Sequence, residues 1–267
     1  MARESSAKRH RAKAPAPDDL AKRDLSRRED GSRRRVLYAE DQSSTRIVTT
    51  ALLKRMGFEV EAVEDGELAL ERAKASAFDI ILLDIEMPNM DGVTAARHIK
   101  ADIGPCQQTP IMAMSAFLAD STEHSVWRDA FDCALPKPAN SNELRRALGL
   151  AIDKKPARAR LPASPDASVE KSESLWGSLA KTMPAGARTV LIKTATQEMH
   201  HQILALAACG QTTDLETIKT ARHVLKGLAL SFDVPELLQI MARSNPPLPD
   251  VLALLNAVVE WNRLQLR

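Results

Sequence analysis

Ile80-Ile81-Leu82-Leu83-Asp84 is a run of four apolar residues closed by a carboxylate, and the loop Glu86-Met87-Pro88-Asn89-Met90-Asp91-Gly92 follows it. A short continuous apolar run bounded by turn residues is the pattern of a strand buried on both faces. Working outward, Val36-Leu37-Tyr38-Ala39 ends in Glu40-Asp41. Pro110-Ile111-Met112-Ala113-Met114 ends in Ser115, and Cys133-Ala134-Leu135-Pro136 ends in Lys137-Pro138. Phe58–Val63 supplies a fifth strand. Helical patterns at Ser43–Met56, Gly66–Ala75, Gly92–Lys100, Ala119–Ala130 and Ser141–Ile152 alternate with these strands. Such alternation predicts an α/β fold, a five-stranded parallel doubly wound sheet covered by helices on both faces.

In an open parallel sheet, ligands bind outside the carboxyl ends of the strands. Four strands that each end in a polar or charged residue therefore converge on one site. Three carboxylates, a hydroxyl and an ammonium at that site imply a magnesium-dependent phosphoryl-transfer pocket, because magnesium takes oxygen ligands and keeps several waters. A lone Asp after a strand is usually a turn residue or a cap. Four strand ends with matched spacing are not explained that way.

The constellation Glu40-Asp41, Asp84, Ser115, Lys137-Pro138 resembles a two-component response-regulator receiver domain of flavodoxin-like fold, over about Arg35 to Ile152. The resemblance implies that Asp84 is the phosphoacceptor and that Asp41 and Asp84 bind Mg2+ directly. Glu40 would act through water, and the backbone carbonyl of Glu86 would supply a further metal ligand. It also implies that Lys137 neutralises the incoming phosphate, that the Ser115 hydroxyl binds a phosphoryl oxygen, and that the bond before Pro138 is cis, which is cheap only at proline. Ala134 departs from the family, which often carries Tyr or Phe there.

Composition sets the frame around this unit. The chain has 267 residues and a net charge of +2, a length with room for about two domains. Residues 1–35 carry 12 Lys/Arg against 6 Asp/Glu, and residues 36–152 carry 11 against 18. The basic head 1–34, charged and poor in apolar residues, is expected to be a disordered tail. It has no aromatics and many interspersed acids, so a solvated or self-docking tail is favoured over one that binds nucleic acid. Residues 35–152 form the receiver-like unit, and 153–171 read as a flexible Pro/Ala/Ser-rich linker. Cys106, Cys133 and Cys209 have no paired or metal-type spacing. With no apolar secretion segment and no run long enough to span a bilayer, the expected location is cytoplasmic, with no membrane association. Met1 favours a complete chain over the tail of a hybrid kinase.

Residues 172–267 lose the strand signals. Helical periods at Gly186–Cys209, Asp214–Ser231, Pro235–Ala242 and Val251–Leu266, with a leading segment at Leu175–Lys181, predict a C-terminal all-α helical bundle. In the second of these, Ala221, Val224, Leu225, Leu228 and Phe232 form the buried stripe. His223 falls on the opposite, exposed face, between Lys219 and Lys226 and beside the side-chain-free Gly227. The segment Ala221-Arg222-His223-Val224-Leu225-Lys226-Gly227 resembles the motif of histidine-containing phosphotransfer (HPt) domains. That resemblance implies that His223 is a phosphotransfer residue assisted by Lys226. Leu228 and Asp233 depart from the family, which commonly has a small polar residue and a glycine there. His200 and His201 lack the Lys-Gly pattern and read as surface.

Together the two resemblances imply a phosphorelay protein between a sensor histidine kinase and a downstream response-regulator receiver. No glycine-rich phosphate loop occurs among the ten glycines, so the chain is expected to carry phosphate without making it from ATP. The alternative reading is a phosphorylation-controlled interaction module whose bundle binds a partner without relaying phosphate. Clear nucleic-acid binding is not expected, because the bundle lacks a clustered basic face.

Overall fold

The structure, a computed structural model, describes residues 24–115, 130–137, 139–153, 175–209, 215–243 and 251–265. The tail up to residue 23, the expected helix Ala119–Ala130 except its last residue, Pro138 and the cis bond expected before it, and residues 154–174 lie outside the described residues.

Five strands form one parallel sheet in the order β2-β1-β3-β4-β5: β1 Arg35–Ala39, β2 Glu59–Val63, β3 Ile80–Asp84, β4 Ile111–Ser115 and β5 Cys133–Pro136. Helices α1 Ser43–Arg55, α2 Gly66–Ala75, α3 Gly92–Ala101 and α4 Ser141–Ile152 flank it. In-register pairing of Val36 with Ile80 and of Ile81 with Ile111 sorts the side chains by parity. Val36, Tyr38, Ile80, Leu82, Met112 and Met114 point to one face, under α1 and α4. Leu37, Ala39, Ile81, Leu83, Ile111 and Ala113 point to the other, under α2 and α3. The chain order reverses between β1 and β3, so a crevice opens there at the carboxyl ends of the strands.

Local chemistry starts the helices where the site needs them. Asp65 caps α2 by accepting from the Leu68 amide, Asp91 caps α3 through Thr94, and Asn140 with Glu143 forms a capping box on α4. Gly92 begins α3 against β3: a Cβ there would lie 2.0 Å from the Asp84 carbonyl oxygen. Only glycine permits this approach.

The boundary of the tail needs correcting. Residues 24–34, assigned by charge to the disordered head, are ordered. Leu25 is buried in the core under α1, and the Arg28 guanidinium makes two hydrogen bonds to Asp79, at 2.8 and 2.7 Å. Net charge and low hydropathy averaged over the segment concealed one apolar anchor and one bidentate pair.

The C-terminal region is helical: α5 Leu175–Ala180, α6 Ala185–Cys209, α7 Leu215–Ser231, α8 Pro235–Arg243 and α9 Val251–Gln265. Phe232 is fully buried at its centre, with ring centroids 5.4 Å from Trp176 and 5.8 Å from Trp261. The apolar cluster of this bundle runs without a break into the receiver-like unit through α1 and α5. Asp233 adopts φ 56° just past α7, a left-handed position that glycine takes most cheaply and Asp tolerates.

Phe232→Ala should destabilise the chain by about 3–5 kcal/mol, because it empties a three-ring contact that cannot collapse fully. Urea unfolding followed by tryptophan fluorescence measures it, since Trp176 and Trp261 report the same site.

Candidate functional site

The strand ends bring Glu40 and Asp41 after β1, Asp84 at the end of β3, Ser115 at the end of β4 and Lys137 after β5 to one place. Lys137 Nζ donates to Glu40 Oε2 at 2.7 Å and to Asp84 Oδ2 at 2.9 Å. The Tyr38 hydroxyl donates to Glu40 Oε2 at 2.9 Å. Asp84 Oδ1 accepts the Ile85 amide at 2.7 Å, and the Ser115 carbonyl accepts the Lys137 amide at 2.8 Å. Arg46, on α1, holds the loop by donating to the carbonyls of Glu40 and Asp41. Ser115 is buried beside these groups.

Electrostatics follow from crowding. Burial pushes the Glu40 carboxyl up to about 7; Lys137 works against that shift and Asp84 adds to it. Burial and then the Asp84 charge push Asp41 up. Burial alone would lower the Lys137 ammonium, but Asp84 and Glu40 outweigh it and hold the group above its ordinary range.

Among the described residues, Glu40, Asp41 and Asp84 form a cluster able to hold a metal ion, with ligand oxygens within 4.8 Å of one another. Glu40 Oε1 and Asp41 Oδ1 are buried and have no hydrogen-bond partner. Two buried carboxylate oxygens without donors are costly, and a hard divalent cation is the group that oxygen donors of this kind suit. The residues therefore fit Mg2+. The Glu86 side chain lies outside that cluster.

That side chain meets His223. The imidazole Nδ1 lies 2.8 Å from Glu86 Oε2, with His223 only 11% exposed and Glu86 52% exposed. The expectation of an exposed histidine is thus corrected. The face of α7 opposite its buried stripe lies against the receiver-like unit, at the loop that follows β3. Gly227 is part of the same contact: a Cβ there would sit 2.9 Å from Gln42 Nε2. Lys226, one turn from His223, is half-buried on the same helix. His201 is exposed and His200 half-buried on α6.

Sequence reasoning missed Tyr38, Gln42 and Arg46. Each follows from register or packing, and no local motif marks them.

Residues 36–149 match the response regulator receiver domain family. The sensor protein GacS of Pseudomonas syringae pv. syringae is 31% identical over 194 residues, which cover 70% of this chain and 20% of GacS. The sensor histidine kinase AruS of Pseudomonas aeruginosa is 31% identical over 193 residues, covering 72% of this chain and 19% of AruS. The chain spans about a fifth of the length of these two relatives. The receiver domain of the sensor histidine kinase PA1611 from Pseudomonas aeruginosa PAO1, crystallised with a magnesium ion coordinated in its active site cleft, is 31% identical, with a TM-score of 0.42. It covers 45% of this chain and 98% of its own. No described helix is long and apolar enough to cross a membrane.

The raised Glu40 carboxyl fixes a pH dependence. Between its ordinary 4.5 and about 7 the folded chain keeps a proton that the unfolded chain has released, so this contribution is full below that window and is lost as pH rises through it. Without added metal, Glu40→Gln should flatten the fall of the urea midpoint between about pH 5 and about pH 7. An unchanged slope would assign the proton elsewhere.

Proposed function

We propose, from the premise that residues 36–149 form a response regulator receiver domain, that this chain is a phosphorelay carrier. It takes a phosphoryl group on Asp84 with Mg2+ and passes it to His223. The observation that carries the reading is the convergence of Asp84, the Glu40–Asp41 pair, Lys137 and His223 on one crevice. The GacS and AruS alignments, longer than residues 36–149, support relatedness beyond the receiver.

Phosphoryl transfer is mainly positioning and charge stabilisation. An Asp84 carboxylate oxygen attacks the phosphorus of the donor, the bond from phosphorus to the donor breaks, and the leaving group takes the electron pair. Lys137, already against Asp84, neutralises charge on the phosphoryl oxygens, and the Ser115 hydroxyl donates to one of them. Glu40, Asp41, Asp84 and the Glu86 carbonyl would hold Mg2+, which when bound offsets phosphate charge. In the second step the His223 Nε2 lone pair attacks the phosphorus, and the Asp84 oxygen leaves as a carboxylate. Glu86 against Nδ1 favours the proton on that nitrogen, which keeps Nε2 nucleophilic. Lys226 supplies further positive charge. The source of phosphate is a sensor histidine kinase and its destination the receiver of another response regulator.

The near-burial of His223 against the receiver favours one second reading, in which the bundle is a phosphorylation-controlled interaction module that does not relay. The two differ at one atom. With a small phosphodonor and Mg2+, the wild-type chain should carry base-labile label on Asp84 and alkali-stable label on His223. Asp84→Asn should remove both, and His223→Gln only the second. Alkali-stable label that survives in His223→Gln, or never forms in the wild-type chain, defeats the relay.

The metal roles have their own measurement. Asp41→Asn should weaken Mg2+ binding, followed by fluorescence or calorimetry, far more than Glu40→Gln, because Glu40 Oε2 is already engaged by Lys137 and Tyr38. Equal losses would reverse that division of labour. Lys137→Ala should leave Mg2+ binding largely intact and slow phosphorylation of Asp84.

A further inference from the structure

Helix α1 begins without a cap of its own. Gln42, at its N-cap, makes no side-chain capping bond, and the first turn holds no acidic residue. The exposed amides and positive dipole end of a helix call for an anion. Glu198, from α6 of the bundle, supplies it. Its carboxylate accepts from the Ser43 and Ser44 hydroxyls, and Oε1 lies 3.3 Å from the Ser44 amide nitrogen as acceptor. The side chain thus caps a helix that lies more than a hundred residues away in sequence.

Contacts run along the rest of α1. The Thr45 hydroxyl lies 3.3 Å from that of Ser231 on α7. At the far end the Arg55 guanidinium donates to the Ser178 carbonyl at 3.0 Å, the Ser178 hydroxyl at 2.8 Å and the Thr182 hydroxyl at 2.6 Å. Gln42 fills the gap over Gly227. The bundle therefore grips both ends of α1 with charge-assisted hydrogen bonds, which are directional and specific.

We propose that the α1 face is an intramolecular docking surface whose occupant is this chain's own bundle, and that Glu198 is the residue that selects it. While Glu198 caps α1, the face is closed to a second protein, and His223 stays in register with the Asp84 crevice. A phosphoryl group on Asp84 then meets the histidine of its own chain first. This last consequence rests on the relay reading; the docking surface does not.

Docking is read directly with Thr45→Cys and Ser231→Cys together in the full chain, whose hydroxyls are close enough for a disulfide between the replacements. Mild oxidation should give a cross-link within one chain, absent from either single variant. Glu198→Arg should slow that cross-link by about tenfold, the loss expected for one charge-assisted hydrogen bond set. Adding Ser43→Asp to Glu198→Arg should restore it, which a misfolded bundle would not allow. Cross-links only between chains, or a rate indifferent to Glu198→Arg, overturn the proposal.

Transfer is read separately. Alkali-stable label in the wild-type chain should appear at a rate independent of protein concentration. A mixture of the Asp84→Asn and His223→Gln chains should be slower and concentration-dependent, and Glu198→Arg should fall towards it. A Glu198-dependent cross-link with no label on His223 upholds the docking surface and sinks the relay. Concentration-independent label without the cross-link upholds the relay and sinks the docking surface.

Discussion

The Lys137 ammonium, held between Glu40 and Asp84, is the interaction on which the site depends. The parallel sheet forces three carboxylates to the same end of neighbouring strands, where burial raises the cost of each charge. One cation with hydrogen bonds to two of them offsets part of that cost and leaves Glu40 Oε1 and Asp41 Oδ1 buried without hydrogen-bond partners. Burial still raises the Glu40 carboxyl, against the pull of Lys137. Carboxylate oxygens left in this way fit a divalent cation, which takes oxygen donors of this kind.

Helix α1 has two roles in the same molecule. Its inner face covers the sheet through Val48, Leu52 and Leu53, which are buried with Val36, Tyr38 and Ile80. Its outer face and both ends engage the bundle. Removing apolar surface from water on the inner side fixes the helix, and polar side chains on the outer side give the contact its register. The continuous apolar cluster from sheet to bundle and the Glu198 cap are two consequences of one helix packed on both sides.

Much of this was legible in the chain. The apolar runs closed by Asp84, Ser115 and Lys137, with helical periods between them, carry the α/β order, and β3 is buried over its whole length. The stripe of α7 was legible too, since Ala221, Leu225, Leu228 and Phe232 are buried. Hidden were Leu25 and Arg28, whose partners lie far along the chain, and the fate of the His223 face. A polar helix face reads as solvated whenever its cover is another folded unit, because periodicity reports only that the face is polar.

The sequence by itself determined which residue types stand at each strand end, the alternation that makes the sheet parallel, and the order of an α/β unit followed by a helical end. These are local properties, set by side-chain period and turn chemistry within a few residues. Only the tertiary structure decided that Tyr38 and Lys137 share Glu40, that Glu86 meets His223, and that Glu198 caps α1. Each of those contacts joins residues whose nearness is fixed by sheet order and helix packing, and neither is written in the spacing of the residues themselves.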